Sequence, residues 1–131
     1  MAYPLDYRYT KEHLWIKQDG DIGAIGITEY AQYSLGEIVF FDVPAVGAQV
    51  QADQSFGTVE SMKSVSDLYA PASGVVTEVN NPLLQTPEKV NADAHGSWLI
   101  KIKLSSAAPL EGLLTAEQYE QYLKDEDKEI H

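Results

Sequence analysis

Two nine-residue segments constrain this chain more than any other feature. GEIVFFDVP, beginning at Gly36, and GVVTEVNNP, beginning at Gly74, each run from a glycine through β-branched residues to a proline in the ninth place. Each then leads through a loop to a valine, Val50 or Val90. Glycine and proline at that spacing break any continuing helix and favour short strands joined by turns. Between the two lies FGTVESMKSVSDLYAP, which reads as strand, turn and strand centred near Met62 and Lys63. A weak internal repeat with a hairpin in its middle predicts a pseudo-two-fold β-sandwich with that hairpin, about residues 57–70, at one end.

The flanking segments fit a mainly β domain with a short internal helix and a C-terminal helix. LWIKQDGDIGAIGIT reads as two strands joined at Asp19-Gly20, a dipeptide that tolerates tight hairpin turns. Gly20, Gly23 and Gly26 lack the phosphate-binding G-x-G-x-x-G spacing and indicate close backbone packing. Thr28 is placed to cap a two-turn helix, EYAQYSL, which Gly36 ends. SWLIKIKL alternates, which predicts a strand with Trp98, Ile100, Ile102 and Leu104 on one face and Lys101 and Lys103 on the other. LTAEQYEQYLK carries Thr115 and Gln118 at capping-box spacing and a Leu114/Tyr119 staple, which predicts a helix over about 115–125 docked through Tyr119, Tyr122 and Leu123. The 131 residues suit one domain, 1–131, able to bury a core without staples.

Charge and composition narrow the function. A net charge of −11 argues against nucleic acid and anionic membrane, because phosphate binding needs clustered Lys and Arg. Residues 111–131 hold seven carboxylates against two lysines, the pattern of a solvated helix face. The absence of cysteine removes disulfides, thiolate metal sites and cysteine nucleophiles, and suits a reducing compartment. No signal peptide or membrane span is legible, so a cytoplasmic protein is expected. His13, His95 and His131 lie far apart and belong to no H-E-x-x-H motif, and no G-x-S-x-G elbow occurs. Neither a catalytic set nor a metal set is predicted, and a non-enzyme is expected.

Lys63 stands apart from the other seven lysines because it sits at the tip of the predicted hairpin, with Ser61, Ser64 and Ser66 leaving room around it. An unmodified lysine offers a point charge. Acylation removes that charge and lengthens the side chain, and an eight-carbon acyl group gives an arm of roughly 14 Å. The plain alternative, an ordinary solvated lysine on a structural β-domain, stays open on these grounds.

The resemblance of the residues to a known family is end to end. YTKEHLWIK, IGITEYAQYSLGEIVFFDVPAVGAQV, VESMKSVSDLYAPASGVVTEVN and WLIKIKL with LEGLLTAEQYEQYL are similar to the H protein of the glycine cleavage system. The resemblance implies a barrel-sandwich hybrid of two small antiparallel sheets with lipoic acid in amide linkage on Lys63. It implies a motif read by the attaching enzyme, a lipoate-protein ligase or lipoyl/octanoyl transferase, at Glu60, Ser61, Met62 and Ser64. It also implies an arm that shuttles the aminomethyl group of glycine between a glycine decarboxylase and an aminomethyltransferase and is reoxidised by dihydrolipoamide dehydrogenase. A monomer with transient partners is expected.

The chain departs from the family pattern in three places. The family usually reads His-Glu-Trp where this chain has His13-Leu14-Trp15, and leucine cannot accept the hydrogen bonds of that glutamate, which is thought to hold the cargo's ammonium. Glu12, expected on the same strand face about 7 Å away, and Asp67 are the carboxylates left near the cargo cleft. Met62 and Ser64 replace the usual valine and alanine of the lysine motif, and NADAHGSW lacks a Pro-Tyr pair. Two further carriers fit such changes. One is an H-like lipoate-binding protein carrying sulfur intermediates to a heterodisulfide-reductase-like complex, whose cargo has no cation to hold. The other is a biotinyl carrier, suggested by Met62 and opposed by Ser64.

Overall fold

The computed structural model describes residues 3–105 and 112–130, with side chains described as far as residue 126. Among these, β1 (Arg8–Tyr9), β2 (Leu14–Asp19), β3 (Ile22–Ile27), β5 (Gln49–Val50), β8 (Gly74–Val79) and β9 (Ile100–Leu104) form one antiparallel sheet in the order β1-β2-β3-β9-β8-β5. A second sheet, β4-β6-β7, is built from β4 (Ile38–Asp42), β6 (Ser55–Ser61) and β7 (Val65–Tyr69). Four helices accompany them: α1 (Glu29–Leu35), α2 (Asn81–Gln85), α3 (Lys89–Ala92) and α4 (Ala116–Ile130). The fold is mainly β, with two antiparallel sheets and a C-terminal helix, as the sequence suggests.

The main core lies between the sheets. Ile16, Ile25, Ile100, Ile102 and Val76 from the larger sheet meet Ile38, Phe41, Val59 and Leu68 from the smaller. Burying each such side chain contributes about 1.5–3 kcal/mol. The larger sheet is also covered on its other face, where Tyr9, Trp15, Ala116 and Tyr119 form a second cluster joined by Trp98, Tyr122 and Leu123. Strand β2 therefore sends Leu14 and Ile16 one way and Trp15 the other. The Trp15 indole lies flat on Gly26, its register partner, where a Cβ would come within 2.6 Å of the ring. Close packing thus explains Gly26, as its spacing suggested, whereas Gly20, at φ 63°, serves the turn.

Several local readings hold. Thr28 Oγ1 accepts the Ala31 N–H at the start of α1, and Gly36 ends the helix at φ 82°. Thr115 and Gln118 exchange the two bonds of a capping box, Thr115 N–H to Oε1 at 2.9 Å and Gln118 N–H to Oγ1 at 3.2 Å. The helix that follows runs to Ile130, beyond the expected end near 125.

Four readings need correction. The β2–β3 loop is Gly20-Asp21 rather than Asp19-Gly20, with glycine first and carrying the positive φ. The repeat breaks in its second half: Asn80 caps α2 with Pro82 in its first turn, and Val90 lies in α3, whereas Val50 lies in β5. Asn-Asn-Pro is a helix start here, because proline lacks the N–H that a first turn leaves unused. Trp98 does not share a face with Ile100; it precedes β9 and joins the second cluster, while Leu99 and Ile100 are both buried in the main core. The internal helix is joined by two shorter ones.

Candidate functional site

The lysine tip is held by a serine. Register pairs carry the hairpin from Thr58↔Asp67 to Glu60↔Val65, and the Ser61 N–H donates to the Ser64 carbonyl at 2.8 Å. Two-residue hairpin loops ordinarily use positive φ angles, yet neither Met62 nor Lys63 has one. Ser61 Oγ instead accepts the N–H groups of Lys63 at 3.3 Å and Ser64 at 3.2 Å. Ser61 is buried for this purpose, while Met62, Lys63 and Ser64 are exposed. The Met62 N–H donates to the Glu37 carbonyl at 3.0 Å, tying the tip to the chain between α1 and β4. The Lys63 side chain lies along Gly36, where an added Cβ would sit 3.6 Å from its Cε. The amine is thus displayed on a fixed tip beside the end of α1.

Behind that tip is a cleft of about 150 Å³. Leu14, Ile27 and Val59 make its buried floor, Ala31, Ser34 and Leu35 of α1 one wall, and Ser66 to Leu68 of β7 the other. Glu12 and His13 complete the lining. Four residues of chain separate Lys63 from Asp67, at most about 13 Å when extended, within the reach of an acylated lysine arm.

The structure thus brings the three residues expected at the cargo cleft into one lining, with different roles. Leu14 is only 2% exposed and belongs to the main core. Glu12 is not on the same strand face as Leu14, as the sequence suggested; it lies in the turn before β2, where His13 takes φ 70° and its N–H bonds the Thr10 carbonyl. The turn brings Glu12 to the cleft by folding back rather than by strand alternation. Asp67 borders the cleft from an edge strand, and its Oδ1 accepts from Ser55 Oγ at 3.1 Å. Glu60 lies in β6 opposite Phe40 and Val65.

Sequence reading missed a hydrogen-bonded network that anchors α1. His13 Nδ1 lies 2.8 Å from the Tyr119 hydroxyl, which lies 2.8 Å from Thr28 Oγ1. Thr28 is fully buried and its Oγ1 also accepts the Ala31 N–H, so the Tyr119 hydroxyl is held between the cap of α1 and the His13 ring. Burial holds the His13 imidazole below its ordinary pKa, partly opposed by the charges of Glu126 and Glu12. Burial likewise pushes the Tyr119 phenol up, against the Thr28 hydrogen bond. From the other side, His95 Nε2 accepts the Glu29 N–H at 3.2 Å, and burial lowers its pKa too, against Glu29 and Asp93. Both histidines are packing residues, and they converge on the first turn of α1. The partners lie 66 to 106 residues apart, so no local spacing in the sequence hinted at them. Among the described residues no group of His, Asp and Glu is arranged to hold a metal ion. His131 falls outside the described residues.

The hairpin thus displays an exposed lysine on one side of α1 and the cleft lies on the other strand flank of the same hairpin. Comparison with known proteins supplies the assignment. The family model for Glycine cleavage H-protein matches residues 7–126. A glycine cleavage system H protein of Acidobacterium capsulatum is 57% identical over 96% of this chain and 98% of its own. One from Koribacter versatilis is 56% identical over the same shares, and one from Carboxydothermus hydrogenoformans 52% identical over 94% and 95%. The crystal structure of a glycine cleavage system H protein from Mycobacterium marinum superposes with a TM-score of 0.86 at 37% identity, covering 93% of this chain and 99% of that one. The chain belongs to the glycine cleavage H-protein family, the lipoyl carriers of the glycine cleavage system.

Proposed function

We propose that Lys63 is the lipoylated residue of this carrier and that the cleft between α1 and β7 receives the arm. The observation that carries the reading is the amine held by Ser61 on an exposed tip, at most about 13 Å of extended chain from a cleft with an apolar floor. That cleft fits lipoate: Leu14, Ile27 and Val59 suit the methylenes and the dithiolane ring, and the polar groups stay at the rim. When bound, the lipoyl group supplies reversible sulfur redox to a chain that has no cysteine.

The protein's own residues position and shelter. Acylation joins Lys63 Nζ to the carbonyl carbon of an activated lipoyl donor, expels the activating group and releases a proton from nitrogen. Met62, Ser64, Glu60 and the buried Ser61 present that amine to a ligase or lipoyl/octanoyl transferase. At the cleft, Glu12 and Asp67 are the carboxylates near a cationic aminomethyl cargo, and the Leu14 floor excludes water without offering an acceptor. The chain acts as a non-catalytic cytoplasmic monomer that visits the glycine decarboxylase, the aminomethyltransferase and dihydrolipoamide dehydrogenase in turn.

The test is co-expression with lipoate ligase and lipoate, followed by intact and peptide mass. A lipoyl increment confined to the Lys63 peptide and lost in Lys63→Arg is expected; a biotinyl increment or none overturns the reading. With lipoylated protein and glycine decarboxylase, labelled bicarbonate should exchange into glycine. The buried leucine at position 14 is the one observation favouring a sulfur cargo, and normal lipoylation without exchange would move the assignment there.

A further inference from the structure

The hairpin that bears Lys63 has two faces, and only one looks at the core and the cleft. Val59 and Leu68 point inward with Ile38 and Phe41. Strand alternation turns the intervening residues outward, in the rows Phe40–Glu60–Val65 and Asp42–Thr58, the second meeting Asp67 at the edge strand that borders the cleft. A register irregularity between Ile38 and Phe40 lets the adjacent Val39 and Phe40 both stand exposed between buried Ile38 and Phe41.

The outward side is unusually apolar and unusually acidic. Among the described residues eight large hydrophobics are exposed, and four of them lie here: Val39 at 42%, Phe40 at 49%, Met62 at 73% and Val65 at 63%. Large apolar groups gathered on one exposed face mark an interaction surface rather than chance exposure. Asp42 and Glu60 lie among them, and neither row contains a Lys or Arg.

Resting on the assignment of Lys63 as the modified residue, we infer that this outer face docks the enzyme that acylates Lys63. That partner offers an apolar seat for Phe40, Val65 and Met62, ringed by Lys or Arg that face Asp42 and Glu60. Reach decides between this partner and the enzymes visited later. An acylating enzyme must bring its reacting carbon to the bare Nζ, so its surface has to close on the hairpin itself. An enzyme served by the finished arm, roughly 14 Å long, can stand off by that distance. Because the cleft lies on the opposite side, the docked hairpin leaves the cleft open for the newly attached chain. Oppositely charged rims steer association and make it salt-sensitive, while the apolar centre supplies most of the affinity.

The experiment is steady-state acylation of the intact unmodified protein by lipoate ligase with lipoate and ATP, with thermal unfolding as the check on folding. Phe40→Ser and Val65→Thr should each lower kcat/KM by about tenfold, the scale of one lost interface anchor, with the effect in KM. Val75→Ser, an equally simple truncation on the other sheet, should leave kcat/KM unchanged. Wild-type KM should rise with salt, and Asp42→Asn with Glu60→Gln should flatten that rise. Rates within twofold of wild type for both Phe40→Ser and Val65→Thr, or an equal loss in Val75→Ser, overturn the docking face. Failure of the wild-type Lys63 to be acylated at all would instead overturn the assignment of the modified lysine. A normal acylation rate with a selective loss of glycine decarboxylase exchange would overturn the choice of partner and give the face to the decarboxylase.

Discussion

The hairpin sheet and the aromatic cluster on the far side of the larger sheet sit at opposite ends of one design choice. In the cluster, Tyr9 and Tyr119 stack at 5.0 Å, Trp15 packs on Tyr7 at 4.7 Å, and its Nε1–H donates to the Ala94 carbonyl at 3.2 Å. Tyr9, Trp15, Ala116 and Tyr119 are buried there, with half-buried side chains packed around them. At the hairpin the tip residues are exposed and the sheet has one bare face. Order at the hairpin comes from backbone hydrogen bonds and one serine hydroxyl rather than from packing. Rigidity therefore does not require burial, provided the few polar bonds are placed where the chain would otherwise pivot.

Substitutions can test that contrast. Trp15→Ala should have the largest effect, about 3–5 kcal/mol of lost stability, because the ring fills the space over Gly26; chemical denaturation measures it, and a loss under about 1 kcal/mol would deny the cluster its weight. Tyr119→Phe removes only the hydroxyl between His13 and Thr28, and should cost about 1–3 kcal/mol by leaving buried partners unmatched. Ser61→Ala should cost about 1 kcal/mol overall and speed hydrogen exchange at Lys63 and Ser64, with the aromatic cluster unaffected; unchanged exchange would mean the serine does not hold the tip.

The smallest effect is expected from pH. His13 and His95 have lowered pKa values in the folded chain, so below the ordinary value of 6.5 the unfolded chain binds protons that the folded one refuses. Stability is full above about 6.5 and declines as pH falls through the lowered folded values. His95→Gln should reduce that decline in an acid titration followed by circular dichroism. A decline of the same slope in the variant would remove His95 from the account.

What was legible in the sequence was what local chemistry decides. Thr28, Gly36, Thr115 and Gln118 bracket their helices through bonds spanning three or four residues, and such bonds leave a readable spacing. The lysine hairpin was readable for the same reason. Asn80 and Pro82 carried an equally local signal, but Asn-Pro also begins turns, and the apparent repeat with Pro44 favoured that reading. Trp98 misled because period two was extended one pair too far, past the point where Leu99 takes a core position. The cleft was legible only through the resemblance. Its α1 wall and its Gly36 bed arise from chain crossings that no period records.

Strand β2 couples the two ends of this contrast. Its consecutive residues Leu14, Trp15 and Ile16 serve the cleft floor, the aromatic cluster and the main core respectively. A slip of one residue would exchange all three assignments at once, so the strand has a single tenable alignment. Cleft and cluster then cannot melt separately: amides of β2 should exchange through one shared opening, and the cleft floor inherits the protection of the deepest part of the protein.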